Sequence, residues 1–126
     1  MEPLISIIED DEGLREALQR MLRAYGFATA AFASAEQFLD SAQPHQTACL
    51  VSDVRMPGMT GFGLHRHLVA NGCRIPTILI TACPTSDERE QALALGVMSY
   101  LAKPFSDRIF LATVREALAE GRHAAT

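Results

Sequence analysis

Five short apolar runs, LISII (4–8), ATAAF (28–32), ACLVS (48–52), TILIT (77–81) and MSYLA (98–102), alternate with stretches of helical period, and nothing in the chain constrains its fold more. Runs of this length suit strands and are too short for helices. Between the first two, Leu14, Ala17, Leu18, Met21, Leu22 and Tyr25 recur at the spacing of one helical face. Gly26 follows, a residue able to take the left-handed conformation at a helix end. Ser34 with Gln37, and Thr85 with Glu88, have capping-box spacing and mark the starts of a second and a fourth helix. Gly72 and Gly96 suit the stops of the third and fourth. A fifth helix is predicted from about Asp107 to Ala119, turning Phe110, Leu111, Val114 and Leu118 inward.

Strands that alternate with helices of this length imply right-handed crossovers and a parallel sheet covered on both faces. The predicted fold class is therefore α/β, a doubly wound three-layer sandwich. LISII, ACLVS and TILIT should be its central strands, and the small residues of ATAAF suit an edge. At 126 residues and 48 % apolar content, one domain spanning 1–126 is expected, with its core at about 3–120. The net charge of −4 and the absence of any Lys/Arg cluster argue against nucleic-acid binding by this segment. The chain has neither a signal-peptide pattern nor a long apolar run, so a cytoplasmic location with no membrane contact is expected. Cys49, Cys73 and Cys83 lack paired metal-ligand spacing and read as reduced, mostly structural cysteines.

In such sheets, ligands bind beyond the carboxyl ends of the strands. The first strand ends in Glu9 and Asp10, with Asp11 and Glu12 next, the third in Asp53 and the fourth in Thr81, and the fifth is followed by Lys103 before Pro104. Two carboxylates about 4 Å apart repel by roughly 4 kcal/mol at an effective dielectric of 20, so the cluster calls for a compensating charge. A hard cation such as Mg²⁺, which takes oxygen ligands and keeps several waters, would supply it. A hydroxyl and an ammonium beside that cation suit the oxygens of a phosphoryl group, which makes Asp53 a candidate nucleophile.

The stretches IIEDDEGLR, VSDVRMPGMTG, ILITA and YLAKPF, in that order, resemble the receiver domain of two-component response regulators, a CheY-like superfamily, in its FixJ type. The resemblance covers essentially the whole chain. It implies the flavodoxin-like strand order 2-1-3-4-5. It also implies that Glu9 and Asp10 are the acidic metal pair, with Asp10 ligating Mg²⁺ directly and Glu9 mainly through water. Asp53 is then the phosphoacceptor, the backbone carbonyl of Arg55 a metal ligand, Thr81 and Lys103 the phosphoryl-contacting hydroxyl and ammonium, and Tyr100 the aromatic switch. A cis Lys103–Pro104 bond is implied as well. Asp11 and Glu12 read as charges leading into the first helix.

The function so implied is a phosphorylation-dependent signalling switch rather than an enzyme, although such a domain supports its own phosphorylation and autodephosphorylation. A sensor histidine kinase donates the phosphoryl group, docking on the first helix and the loop after the fifth strand. Thr81 is drawn inward, Tyr100 follows, and the surface of the fourth helix, fifth strand and fifth helix changes, which in this family often serves dimerisation or output. FixJ-like receivers commonly precede a helix-turn-helix domain, so transcriptional control is the implied output. Arg55 and Cys83 stand two residues beyond Asp53 and Thr81, positions that in this family tune how water reaches the acyl phosphate. An aspartate-nucleophile phosphatase of the haloacid dehalogenase type would need an acid where Arg55 stands, and a flavodoxin-like flavin site would need a Ser/Thr/Gly-rich loop where four acids stand. His65 and His67 lie two apart on the third helix and point in different directions, so both are expected at the surface.

Overall fold

A computed structural model describes residues 3–41 and 43–125, with side chains described as far as residue 120. The elements are β1 (Leu4–Ile8), α1 (Glu12–Ala24), β2 (Ala28–Phe32), α2 (Ala35–Asp40), β3 (Thr47–Asp53), α3 (Gly61–Ala70), β4 (Thr77–Thr81), α4 (Ser86–Leu95), β5 (Ser99–Ala102) and α5 (Asp107–Ala125). A single turn of 3₁₀ helix, Gln43–His45, precedes β3. The strands form one parallel sheet in the order β2-β1-β3-β4-β5, as the resemblance implies. β2 lies at the edge, and each of its five residues is only half-buried.

Strand alternation divides the core. Ile5, Ile7, Cys49, Val51, Ile78 and Ile80 face α1 and α5, where they meet Leu18, Leu22, Phe110, Leu111, Val114 and Leu118. On the opposite face, Ile8 and Leu50 pack against Phe38 of α2 and Leu64 and Leu68 of α3. Leu79 and Tyr100 form a smaller cluster with Val54, Phe62 and Ala92, the last from α4. Each fully buried Ile, Leu or Phe contributes about 1.5–3 kcal/mol, so the larger clusters dominate stability.

Several boundaries and placements differ from expectation. β3 starts at Thr47, ahead of the ACLVS run, and ends as expected in Asp53, which pairs with Ile80. β5 begins at Ser99, and α5 continues to Ala125. Tyr25 is 56 % exposed because it is the C-cap residue of α1, where the backbone leaves helical geometry and the stripe loses its phase. Ala17 is exposed on the flank of a narrow stripe whose buried members are Leu18 and Leu22.

The expectation for His65 is overturned: it is buried between α3, β4 and the end of α4. Its Nε2 donates to the Leu95 carbonyl at 3.0 Å, and Nδ1 lies 3.3 Å from the Thr77 hydroxyl. Local spacing could not reveal this, because both partners come from other elements. His67 is exposed, as expected.

Candidate functional site

The acid-rich stretch after β1 divides into separate tasks. Asp11 caps α1, its Oδ2 accepting from Leu14 N at 2.8 Å, and Glu12 sits in the first turn, where negative charge suits the helix dipole. Asp10 is exposed. Glu9 turns the other way and is 1 % exposed. One of its oxygens accepts from Asp11 N at 3.1 Å and the other from Lys103 Nζ at 2.7 Å. Arg15, one turn into α1, fixes the backbone here by donating to the Glu9 carbonyl at 2.9 Å.

Asp53 reaches the same point from the end of β3. Lys103 Nζ lies 2.9 Å from its Oδ2, so one ammonium bridges two buried carboxylates. Carboxylate oxygens of Glu9, Asp10 and Asp53 all lie within 4.8 Å of one another. Burial pushes Glu9 up to about 7, against the hydrogen bonds from Lys103 and Asp11 N–H; the nearby Asp53 charge pushes the same way as burial. Burial would lower the Lys103 ammonium, but its bonds to Glu9 and Asp53 outweigh that and raise it above the ordinary lysine value. The residue is held in place by Lys103 N–H donating to the Thr81 carbonyl at 2.7 Å, and the following Lys103–Pro104 bond is cis, as the resemblance implies.

The loop after Asp53 is shaped by close approach. Gly61 N donates to the Val54 carbonyl at 3.0 Å, and a Cβ on Gly61 would lie 2.5 Å from the Asp53 carbonyl. Glycine is therefore required for α3 to start so close to the acid. Glu36 of α2 accepts from Met59 N at 2.9 Å and holds the far side of the loop. Arg55 N donates to Asp53 Oδ1 at 3.3 Å, which keeps the Arg55 backbone beside the acid cluster. Thr81, 1 % exposed, accepts from Cys83 N at 3.1 Å.

The sequence-predicted residues Glu9, Asp10, Asp53, Thr81 and Lys103 thus stand together at the carboxyl ends of β1, β3, β4 and β5. Beside them, Leu14, Ala82, Lys103, Pro104 and Phe105 line an apolar groove of about 430 Å³. Tyr100 sits one strand away, its ring buried and its hydroxyl donating to Glu88 Oε1 at 2.6 Å. The Arg55 side chain, at one of the two positions expected to tune water access, pairs with Glu88 at 2.9 Å. Nothing in local spacing gives Glu88, Arg15 or Glu36 a place at the site; the Thr85–Glu88 spacing marks only a helix start.

Residues 5–115 match the family model described as the response regulator receiver domain. The chain belongs to that family. Receiver domains are the phosphorylation-dependent signalling modules of two-component systems, phosphorylated by sensor kinases. The chain is 38 % identical over 90 % of its length to the transcriptional regulatory protein FixJ of Azorhizobium caulinodans and covers 54 % of that protein. Against the crystal structure of FixJ-N it has 32 % identity and a TM-score of 0.84, over 94 % of this chain and 95 % of that one. The chemotaxis protein CheY4 of Vibrio cholerae has the same fold, with a TM-score of 0.86 at 23 % identity over 94 % of this chain and 100 % of that one. This receiver spans about half the length of the curated FixJ relative. No helix among its described residues is long and apolar enough to cross a membrane.

Proposed function

We propose that Asp53 accepts a phosphoryl group from the phosphohistidine of a sensor histidine kinase and that this switches the α4–β5–α5 surface. The observation that carries the reading is the Lys103 ammonium bridging Glu9 and Asp53 beneath a three-carboxylate cluster. An Asp53 oxygen attacks phosphorus, the P–N bond to imidazole breaks, the imidazole departs with the bonding electron pair, and an acyl phosphate forms. Lys103 holds Asp53 aligned and lies within reach of charge developing on the phosphoryl oxygens.

The donor set fits Mg²⁺: every side-chain ligand is a carboxylate oxygen, the cluster is compact, and exposed Asp10 leaves one side open to water. Glu9, Asp10, Asp53 and the Arg55 carbonyl would hold the ion. When bound, it neutralises charge on the phosphoryl oxygens. Thr81 then exchanges its bond from Cys83 N–H for one to the phosphoryl group, and the space it leaves admits Tyr100. The groove between Leu14 and Phe105 places apolar surface beside Lys103 on the elements expected to meet the kinase.

The remodelled α4–β5–α5 surface would serve a phosphorylation-dependent homodimer. With FixJ-like relatives about twice this length, the output is transcriptional control by a cytoplasmic protein, and this segment makes no nucleic-acid contact of its own. The domain supports its own phosphorylation from small phosphodonors and its own dephosphorylation. Incubation with acetyl phosphate and Mg²⁺ followed by intact mass tests the reading. A phosphoryl-sized gain is expected in the parent and not in Asp53→Asn; the parent's failure to gain it would contradict the proposal.

A further inference from the structure

Glu88 occupies the third position of α4, where a capping box would have its carboxylate accept the N–H of the N-cap residue, Thr85. Half of that box is formed: Glu88 N donates to Thr85 Oγ1 at 3.0 Å. The reciprocal half is interrupted by Tyr100. Thr85 N donates to the Tyr100 phenol oxygen at 3.3 Å, and the phenol in turn donates to Glu88 Oε1 at 2.6 Å. The hydroxyl is a rung between the two groups that the box would otherwise join directly.

The second Glu88 oxygen is also engaged. Oε2 accepts from Arg55 Nε at 3.1 Å and from Arg55 Nη2 at 2.9 Å. Since Arg55 N donates to Asp53 Oδ1, a continuous hydrogen-bonded path leads from Asp53 through Arg55 and Glu88 to Tyr100. The Arg89 guanidinium lies over the Tyr100 ring, 5.1 Å from its centroid, and closes the ring in from another side.

We infer that Glu88 is the positioning residue that holds Tyr100 in its resting place: its carboxylate retains the phenol inside an open capping box, and the box closes on Thr85 N–H when the ring leaves. The inference rests on the reading of Asp53 as phosphoacceptor and Tyr100 as switch. Its physical basis is that neither end state strands Thr85 N–H or the Glu88 carboxylate. With the ring in place, the phenol satisfies both Thr85 N–H and the carboxylate. With the ring withdrawn, those two groups satisfy each other, so α4 keeps its cap in both arrangements.

The hold is strong enough to matter because the phenol donates to an ionised acceptor, a stronger bond than one between neutral groups. Burial, and then the bond to Glu88, raise the Tyr100 hydroxyl above its ordinary value, so it remains a donor at neutral pH. A phosphoryl group on Asp53 brings negative charge two residues from Arg55 and competes with Glu88 for the guanidinium. Losing Arg55 leaves Glu88 free to turn toward Thr85 N–H, which releases the phenol.

The chain has 2 tyrosines and no tryptophan, and Tyr25 is exposed, so Tyr25→Phe leaves Tyr100 as the sole tyrosine in the full chain. With 3-fluorotyrosine incorporated, the Tyr100 fluorine resonance is recorded before and after acetyl phosphate and Mg²⁺. Glu88→Gln and Glu88→Ala should move the unphosphorylated resonance toward the position of the phosphorylated parent, Ala further than Gln, and Arg55→Ala should move it less in the same direction. A Glu88→Ala resonance that coincides with the parent's, or moves away from the phosphorylated position, overturns the inference. Intact mass on the same samples reads phosphorylation separately. If the parent takes up no phosphoryl group, the reading of Asp53 fails, and the hold is then judged from the ultraviolet titration of the Tyr100 phenol. Its midpoint should fall in Glu88→Gln, and an unchanged midpoint would overturn the hold by itself.

Discussion

α5 and α4 flank the same half of the sheet on opposite faces, yet they are attached by different means. α5 is fixed by apolar burial: Phe110, Leu111, Val114, Ala117 and Leu118 all enter the core shared with α1. α4 buries Ala92 alone. Its attachment is largely polar and sits at its ends, with Leu95 bound to His65 of α3 and Thr85 and Glu88 bound to Tyr100 of β5. Apolar packing is lost only by opening the core, whereas a hydrogen bond can be exchanged for another of similar energy. One face is therefore built to stay, and the other to move.

The largest test of this contrast is Phe110→Ala, which should destabilise the fold by about 3–5 kcal/mol in chemical denaturation. Loss of less than about 1 kcal/mol would show that α5 is not fixed as described. His65→Ala should cost about 1–3 kcal/mol, because it leaves the Leu95 carbonyl without its donor. Hydrogen exchange should then quicken in α4 and leave α5 unchanged; uniform acceleration would erase the distinction between the faces.

A third expectation concerns Glu9. Its folded value of about 7 lies above the ordinary 4.5, so the metal-free folded state holds a proton that the unfolded chain has released. This contribution to stability is complete below about 4.5 and is lost as pH rises toward about 7. Thermal melts of the metal-free protein should lose that slope in Glu9→Gln, and Mg²⁺ should raise the parent's Tm at neutral pH while leaving the variant's less changed. At the small end, Leu93 is 75 % exposed on α4, so Leu93→Ala should alter stability by less than about 0.5 kcal/mol. A larger loss in a protein confirmed as monomeric would mean that α4 packs more than its burial indicates.

The apolar face was legible in the sequence, and the polar attachments were not. Strand runs and the inward residues of α5 declare themselves by periodicity, because burial of one side is a local property of the element. The convergence of Glu9, Asp53, Thr81 and Lys103 was legible too, since a parallel sheet brings its strand ends to one edge. His65 was misread because its partners, Thr77 and Leu95, come from elsewhere in the chain. Glu88 announced a capping box, and local spacing has no means of revealing that Tyr100 stands inside it. Tyr25 was placed on a stripe that ends where the helical backbone ends.

The contrast between the faces matters to function only if chemistry at Asp53 drives it. Localisation of the phosphoryl group tests that most directly: acetyl phosphate and Mg²⁺ are followed by borohydride reduction, which converts an aspartyl phosphate to homoserine, and by tandem mass spectrometry of the peptides. Phosphoryl transfer to Asp53 yields homoserine at position 53 and at no other acid of the cluster. Homoserine at Asp10, or unmodified Asp53 in a protein that has gained a phosphoryl group, would contradict it.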